Sequence, residues 1–224
     1  MRRALVCFLV FWLCVCSVSA EEGGTCTVVR RGKAEGKIAL TFDDGPHPRY
    51  TRQVLEVLRE YGVKATFFLI GKCAADNPEI VKEIAQDGHE LANHTYSHTF
   101  LKDLTLAACC KEVNDTARVL QEITGDTPHL FRPPGGSYSD AKLSAISEMG
   151  YVSVLWSKDT RDWTCPSVDT VVARATKELV SGDIILFHDG GGNSNPTPQA
   201  LRQILPIILK EGFTPVTVTE LLSE

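Results

Sequence analysis

Short runs that are apolar almost throughout alternate along this chain with longer runs whose apolar residues recur every three to four positions. KIALTF precedes a helical pattern over 50–61, with Val54, Leu55 and Leu58 on one face. ATFFLI (65–70) is followed by a helix over 78–86 that stops at Asp87-Gly88, then by the strand-like HELANH (89–94). A helix over 105–123 leads to HLFR (129–132), and a helix from Asp140 to before Gly150 leads to YVSVLW (151–156). A helix over 167–180 precedes DIILFH (183–188), and one over 198–211 precedes FTPV and a last helical turn at 219–223. A strand apolar on both faces must be covered on both, which favours parallel strands flanked by helices. Seven such units predict an α/β fold, a distorted (β/α) barrel of seven to eight units in one domain. No Gly-rich nucleotide loop follows the first strand, which weighs against an open doubly wound sheet and a nucleotide ligand.

The ends of the chain read differently. Arg2 and Arg3 precede the apolar ALVCFLVFWLCVC, and small residues close the segment at Ala20. The run is short for a membrane span, so 1–20 reads as a secretory signal cleaved near Ala20, the product being secreted or wall-associated. An uncleaved signal anchor that tethers the protein is the alternative. Residues 21–36 read as a polar, Gly-rich leader, and 37–224 as the folded domain. A net charge of −5 without a basic run excludes nucleic acid as a natural partner, and no protein partner is implied. Of eight cysteines, Cys7, Cys14 and Cys16 lie in the signal. Cys26, Cys73, Cys109, Cys110 and Cys165 are odd in number and lack metal-type spacing, and read as buried or incidental thiols, one disulfide being compatible.

In a barrel of this kind chemistry gathers at the C-terminal ends of the strands. The unusual polar residues fall there in succession: Asp43 and Asp44, His94 and His98, Arg132, then Asp162 with Trp163, and His188. Read as one helical turn, HTYSH (94–98) brings two imidazoles to one face. Two His and one carboxylate form a ligand set for Zn²⁺ or a similar ion, with open positions for water. Such an ion makes the adjacent acids tolerable, one as ligand and the other free as a base. The Arg132 guanidinium can hold a carboxylate, and the backbone of Gly135 and Gly136 can face an oxyanion; a rigid turn is the alternative. His188 reads as a general acid with Asp162 behind it. Trp163 reads as a flat wall for a sugar or acetyl group, or else as a core residue. His47, His89 and His129 read as structural.

Together TFDDG, HTYSH, RPPGG, DTRDW and LFH resemble the five ordered motifs of the polysaccharide deacetylases, the NodB-homology domains of carbohydrate esterase family four. The resemblance runs from Lys37 to Leu222. It implies a distorted barrel, a divalent metal (Zn²⁺ or Co²⁺), and removal of acetyl groups from GlcNAc polymers such as peptidoglycan or chitin. It further implies that Asp43 is the base, that Asp44, His94 and His98 bind the metal, and that Arg132 orients Asp43. His188 would be the acid tuned by Asp162, the Gly135 N–H the oxyanion donor, and Trp163 and Leu186 the acetyl pocket. Where many relatives carry Tyr or Phe, this chain has Gly135, and Tyr138 is the expected substitute for that sugar-facing ring. An O-acetyl xylan esterase of the same fold and a catalytically inactive wall-glycan binder are the rival readings.

Overall fold

The computed structural model describes residues 28–191 and 194–223; the segment read as a secretory signal lies outside them. The elements run β1 (Val28–Val29), β2 (Lys37–Asp43), α1 (Tyr50–Tyr61), β3 (Thr66–Leu69), α2 (Gly71–Asp76) and α3 (Pro78–Gln86). Next come β4 (Glu90–Asn93), α4 (Leu106–Thr124), β5 (Leu130–Phe131), α5 (Asp140–Glu148), β6 (Val152–Val154) and β7 (Lys158–Asp159). The chain closes with α6 (Val168–Thr176), β8 (Ile184–His188), α7 (Thr197–Lys210), β9 (Thr214–Val216) and α8 (Val218–Leu222). Among the described residues no helix is long and apolar enough to cross a membrane.

Local chemistry accounts for most boundaries. Thr105 caps α4 by accepting the Ala108 N–H, and Ser167 and Thr217 do the same for α6 and α8. Gly62 ends α1 in the left-handed region, where its N–H reaches the Arg59 and Leu58 carbonyls. Three elements went unread in the sequence. Two are two-residue strands: β1, inside the stretch read as a leader, and β7; the third is the six-residue α2. The predicted helix over 167–180 stops at Thr176.

Every ladder is parallel, in the order β1-β6-β5-β4-β3-β2-β8-β7, with β9 beside the first half of β2. β6 and β7 lie near opposite ends of that order, yet only Leu155, Trp156 and Ser157 separate them. The sheet therefore curls until its ends meet. Just past β1, Gly32 N–H donates to Gly182 O (2.8 Å), and Arg31 forms an isolated bridge and an ion pair (2.8 Å) with the buried Asp183 across the seam. Closure rests on these contacts and not on a full ladder, which is the distortion of the barrel.

β2 shows how the strand period aims the site. Ile38, Leu40 and Phe42 face the helix layer, where Phe42 stacks between Phe67 (4.9 Å) and Phe187 (5.6 Å) of the flanking strands. Burying such a ring contributes about 1.5–3 kcal/mol, and Phe42→Ala would cost about 3–5 kcal/mol because a cavity adds to the lost burial. The alternate residues Ala39, Thr41 and Asp43 then point into the barrel, as a period of two requires. An apolar strand thus delivers a carboxylate to the top of the lumen.

Candidate active site

Arg132 fills that lumen. It is fully buried, its guanidinium lies 3.9 Å from the Phe68 ring centroid and 5.6 Å from that of Trp156, and each of its nitrogens is used. Nε and Nη2 donate to the Val154 and Leu155 carbonyls (3.1 Å each), and Nη1 donates to Thr41 Oγ1 (2.9 Å) and Asp43 Oδ1 (2.7 Å). Burial pulls the arginine pKa down, and the Asp43 carboxylate opposes that. Breaking a buried pair of this kind costs about 3–5 kcal/mol because one charge is left uncompensated. Arg132 thus supports the barrel as well as orienting Asp43.

Asp44 takes the opposite direction. Its φ of 74° turns the chain at the strand end, so adjacent carboxylates separate. The turn packs so closely on Gly190 that a Cβ there would lie 2.2 Å from the Asp44 carbonyl oxygen. Asp44 Oδ1 approaches His98 Nε2 (3.1 Å) and His94 Nε2 (3.4 Å), while Asp43 Oδ2 stands 3.8 Å from His94 Nε2. Burial pushes the Asp44 carboxyl up, but the His94 and His98 imidazoles more than reverse this and hold it well below the usual range.

The histidines do not sit on a helical turn, as their spacing suggested. They flank an irregular loop after β4 in which Thr95 (φ 67°) and His98 (φ 60°) are both left-handed. For a β-branched residue such backbone costs about 1–3 kcal/mol, so surrounding contacts must enforce it.

The donor set fits a divalent cation. Ligand atoms of Asp44, His94 and His98 lie within 4.8 Å of one another. His94 Nδ1 lies 2.8 Å from the Arg132 carbonyl, which can only accept, so Nδ1 carries a proton, and a ring that gives up its other proton to a metal presents its lone pair at Nε2. That lone pair faces a carboxylate oxygen, Asp44 Oδ1, which is buried and forms no hydrogen bond. Acceptors turned toward one another in a buried site call for a shared cation.

Across the cavity, Asp162 Oδ1 holds His188 Nδ1 at 2.7 Å, and its Oδ2 accepts the His188 N–H (2.8 Å) and the Thr197 hydroxyl. Burial alone would lower the His188 pKa; Asp162, with lesser contributions from Asp43 and Asp44, raises it to about 9. A cavity of about 470 Å³ unites Asp43, Asp44, His94, His98 and His188, with Leu186 and Trp163 in its walls. Trp163 is 59% exposed, at the mouth and not in the core. Gly135, left-handed at φ 61°, also lines it. A groove of about 490 Å³ between α1, α6 and α7 is as large but carries none of these residues.

Tyr138 is absent from the described lining, where Phe100 and Trp156 join Trp163, and the ring against Gly135 is Phe100. A Cβ on Gly135 would meet Phe100 Cε1 at 2.6 Å, so the ring occupies space that only glycine leaves open. No local pattern in the sequence pairs 100 with 135. Asp189, a strand-end acid beside His188 with no role assigned from the sequence, is wholly buried; Thr51 Oγ1 donates to its Oδ2 (2.5 Å), and burial raises its pKa to about 7. His47 and His89 are structural: His47 Nδ1 accepts the Arg49 and Tyr50 N–H groups, and His89 Nδ1 accepts the Ala65 N–H. Cys73, Cys109, Cys110 and Cys165 are free thiols.

Adjacent carboxylates with different partners, and an imidazole backed by a carboxylate opposite them, define a barrel lumen whose donor set suits a metal ion. Residues 30–154 match the family model of polysaccharide deacetylase. A peptidoglycan-N-acetylglucosamine deacetylase of Bacillus cereus is 44% identical over 187 residues, covering 83% of this chain and 87% of the relative. A chitooligosaccharide deacetylase of Sinorhizobium fredii is 35% identical, covering 84% of this chain and 92% of its own. A crystal structure of a peptidoglycan N-acetylglucosamine deacetylase bound to an N-hydroxybenzamide superposes with a TM-score of 0.85 at 34% identity, over 87% and 92% of the two chains. The chain belongs to the polysaccharide deacetylase family.

Proposed function

We propose that this protein is a secreted, metal-dependent hydrolase that removes N-acetyl groups from GlcNAc residues of a polysaccharide, of peptidoglycan or chitin type. Asp44, His94 and His98 would hold the ion, Zn²⁺ or Co²⁺ suiting two imidazoles and one carboxylate. When bound, the ion supplies Lewis acidity that polarises the acetyl carbonyl and acidifies water. Asp43 Oδ2, free because Oδ1 is tied to Arg132, takes the proton of the attacking water. The Gly135 N–H faces the developing oxyanion, while Leu186 and Trp163 wall the acetyl group. His188, its Nδ1 held by Asp162, delivers a proton from Nε2 to the departing amine nitrogen.

The observation that carries this reading is the opposite allegiance of the two carboxylates: Asp43 to Arg132, and Asp44 to the histidine pair. A poised proton donor favours an amide over an ester, since an amine leaves poorly unless protonated. The test is acetate release, with mass spectrometry of products, from chitooligosaccharides, muropeptides and acetylated xylan in the presence of Zn²⁺ or Co²⁺. Acetate from xylan alone would establish the esterase; glycan binding without acetate release would establish a binding protein.

A further inference from the structure

The strained loop that carries both histidines is held from two sides. From below, the Gly71 and Lys72 N–H groups donate to the Thr95 (3.0 Å) and Tyr96 (2.9 Å) carbonyls. From α4, Glu112 turns its carboxylate onto the loop. Its Oε2 accepts the N–H groups of Tyr96 (2.9 Å) and Ser97 (2.7 Å), and the Ser97 hydroxyl lies 3.0 Å from each oxygen. Ser97 Oγ in turn lies 2.7 Å from Thr99 Oγ1, which extends the clasp past His98.

The two ligands differ in what else restrains them. His94 is anchored by the Arg132 carbonyl through Nδ1 and by its own N–H to Leu69 O (3.0 Å). His98 Nδ1 has no hydrogen-bond partner among the described residues, and the ring is half-buried. Beyond tilted ring contacts with His94 (5.1 Å) and Phe100 (6.1 Å), its orientation depends on the backbone, whose left-handed φ at His98 must be enforced from outside. Adjacent N–H groups gathered on one carboxylate, immediately before His98, meet that need with charge-assisted bonds.

We propose that Glu112 is a positioning residue for the metal site, fixing His98 through the 95–99 backbone. The proposal rests on the reading of Asp44, His94 and His98 as metal ligands. Partners outside the ligand set commonly set metal affinity within about 10–100-fold, although they usually bond the ligand ring directly. In this chain the anchor grips the ligand's backbone.

The test is the Zn²⁺ dissociation constant, measured on the full chain by competition with a chromophoric chelator, beside the thermal melt of the metal-free protein. Glu112→Ala should weaken Zn²⁺ binding by about 10–100-fold. Glu112→Gln, which keeps an accepting oxygen and the side-chain shape, should fall between it and the parent and guards against loss of folding. Turnover of Glu112→Ala should recover at saturating Zn²⁺, since no reacting group is removed. Leu120→Ala, buried on the same helix about 12 Å further along, should lower the melt and leave the dissociation constant unchanged. A Glu112→Ala constant within about twofold of the parent, or an equal loss in Leu120→Ala, would overturn the assignment while the metal reading stands. A parent protein that binds no Zn²⁺ would overturn both.

Discussion

Asp162→Asn isolates what raises the His188 pKa. Oδ1 of Asp162 accepts from His188 Nδ1 and the Trp163 N–H (2.9 Å), and Oδ2 from the His188 N–H and the Thr197 hydroxyl. All four are donors. An asparagine amide in either orientation sets its own NH₂ against two of them, at about 1–3 kcal/mol for each buried group left unpaired. Asp162 is also the first contribution that lifts His188 from 6.5 to about 9 against its own burial. Without that charge, burial dominates, and the pKa falls by about two units or more, close to 3 kcal/mol. His188 is largely buried, so solvent screens little of this. A cation bound at Asp44 would offset the lesser contributions of the two strand-end acids and leave Asp162 the decisive one. The assay is kcat/KM for a chitooligosaccharide across the alkaline limb, where the proton donor is lost. That limb should move acidward by about two units in the variant, a loss near 100-fold at a pH above both limbs. The stability sign follows. A folded pKa raised above 6.5 contributes stability fully present below 6.5 and lost as pH rises through 9. Urea melts of the parent should show that decline and melts of the variant should not. An alkaline limb unmoved by Asp162→Asn would refute His188–Asp162 as the proton donor.

Asp44→Asn should weaken metal binding in calorimetric titration and regain part of its activity at high metal. Asp43→Asn should bind metal normally yet lose about 10²–10⁴-fold in turnover; the reverse pattern would exchange their roles. Phe100→Ala should raise KM for oligosaccharides by about 2–10-fold with kcat nearly kept, the weight of one aromatic contact, and Tyr138→Ala should change neither. Burial, with Lys64 nearby, lowers His89 from 6.5 to about 4. The unfolded chain then binds the extra proton between those values, so stability should fall by about 3 kcal/mol as pH drops from 6.5 to 4. Urea melts over that range should be flatter for His89→Gln, and an equal slope would remove His89 as the cause.

Much of this protein is written in local pattern. Alternation of apolar strands with amphipathic helices identifies the parallel barrel, because each period is a property of a few consecutive residues. The same regularity places Asp43, His94, Arg132 and His188 at strand ends, where a barrel collects its chemistry. Packing decides the rest. Whether Asp43 meets Arg132 is a matter of the lumen filling between residues 89 positions apart, and Asp44 joins the histidines only because its own φ is left-handed. Spacing suggests a helical turn for His94 and His98, yet Glu112 and α2 hold a strained loop in its place. The ring over Gly135 comes from Phe100 and not from the nearer Tyr138. Each of these outcomes is a contact between segments distant in the chain, chosen by which side chains fill the space when the sheet closes. No run of neighbouring residues contains that information, since the energy that selects it exists only once the elements are packed.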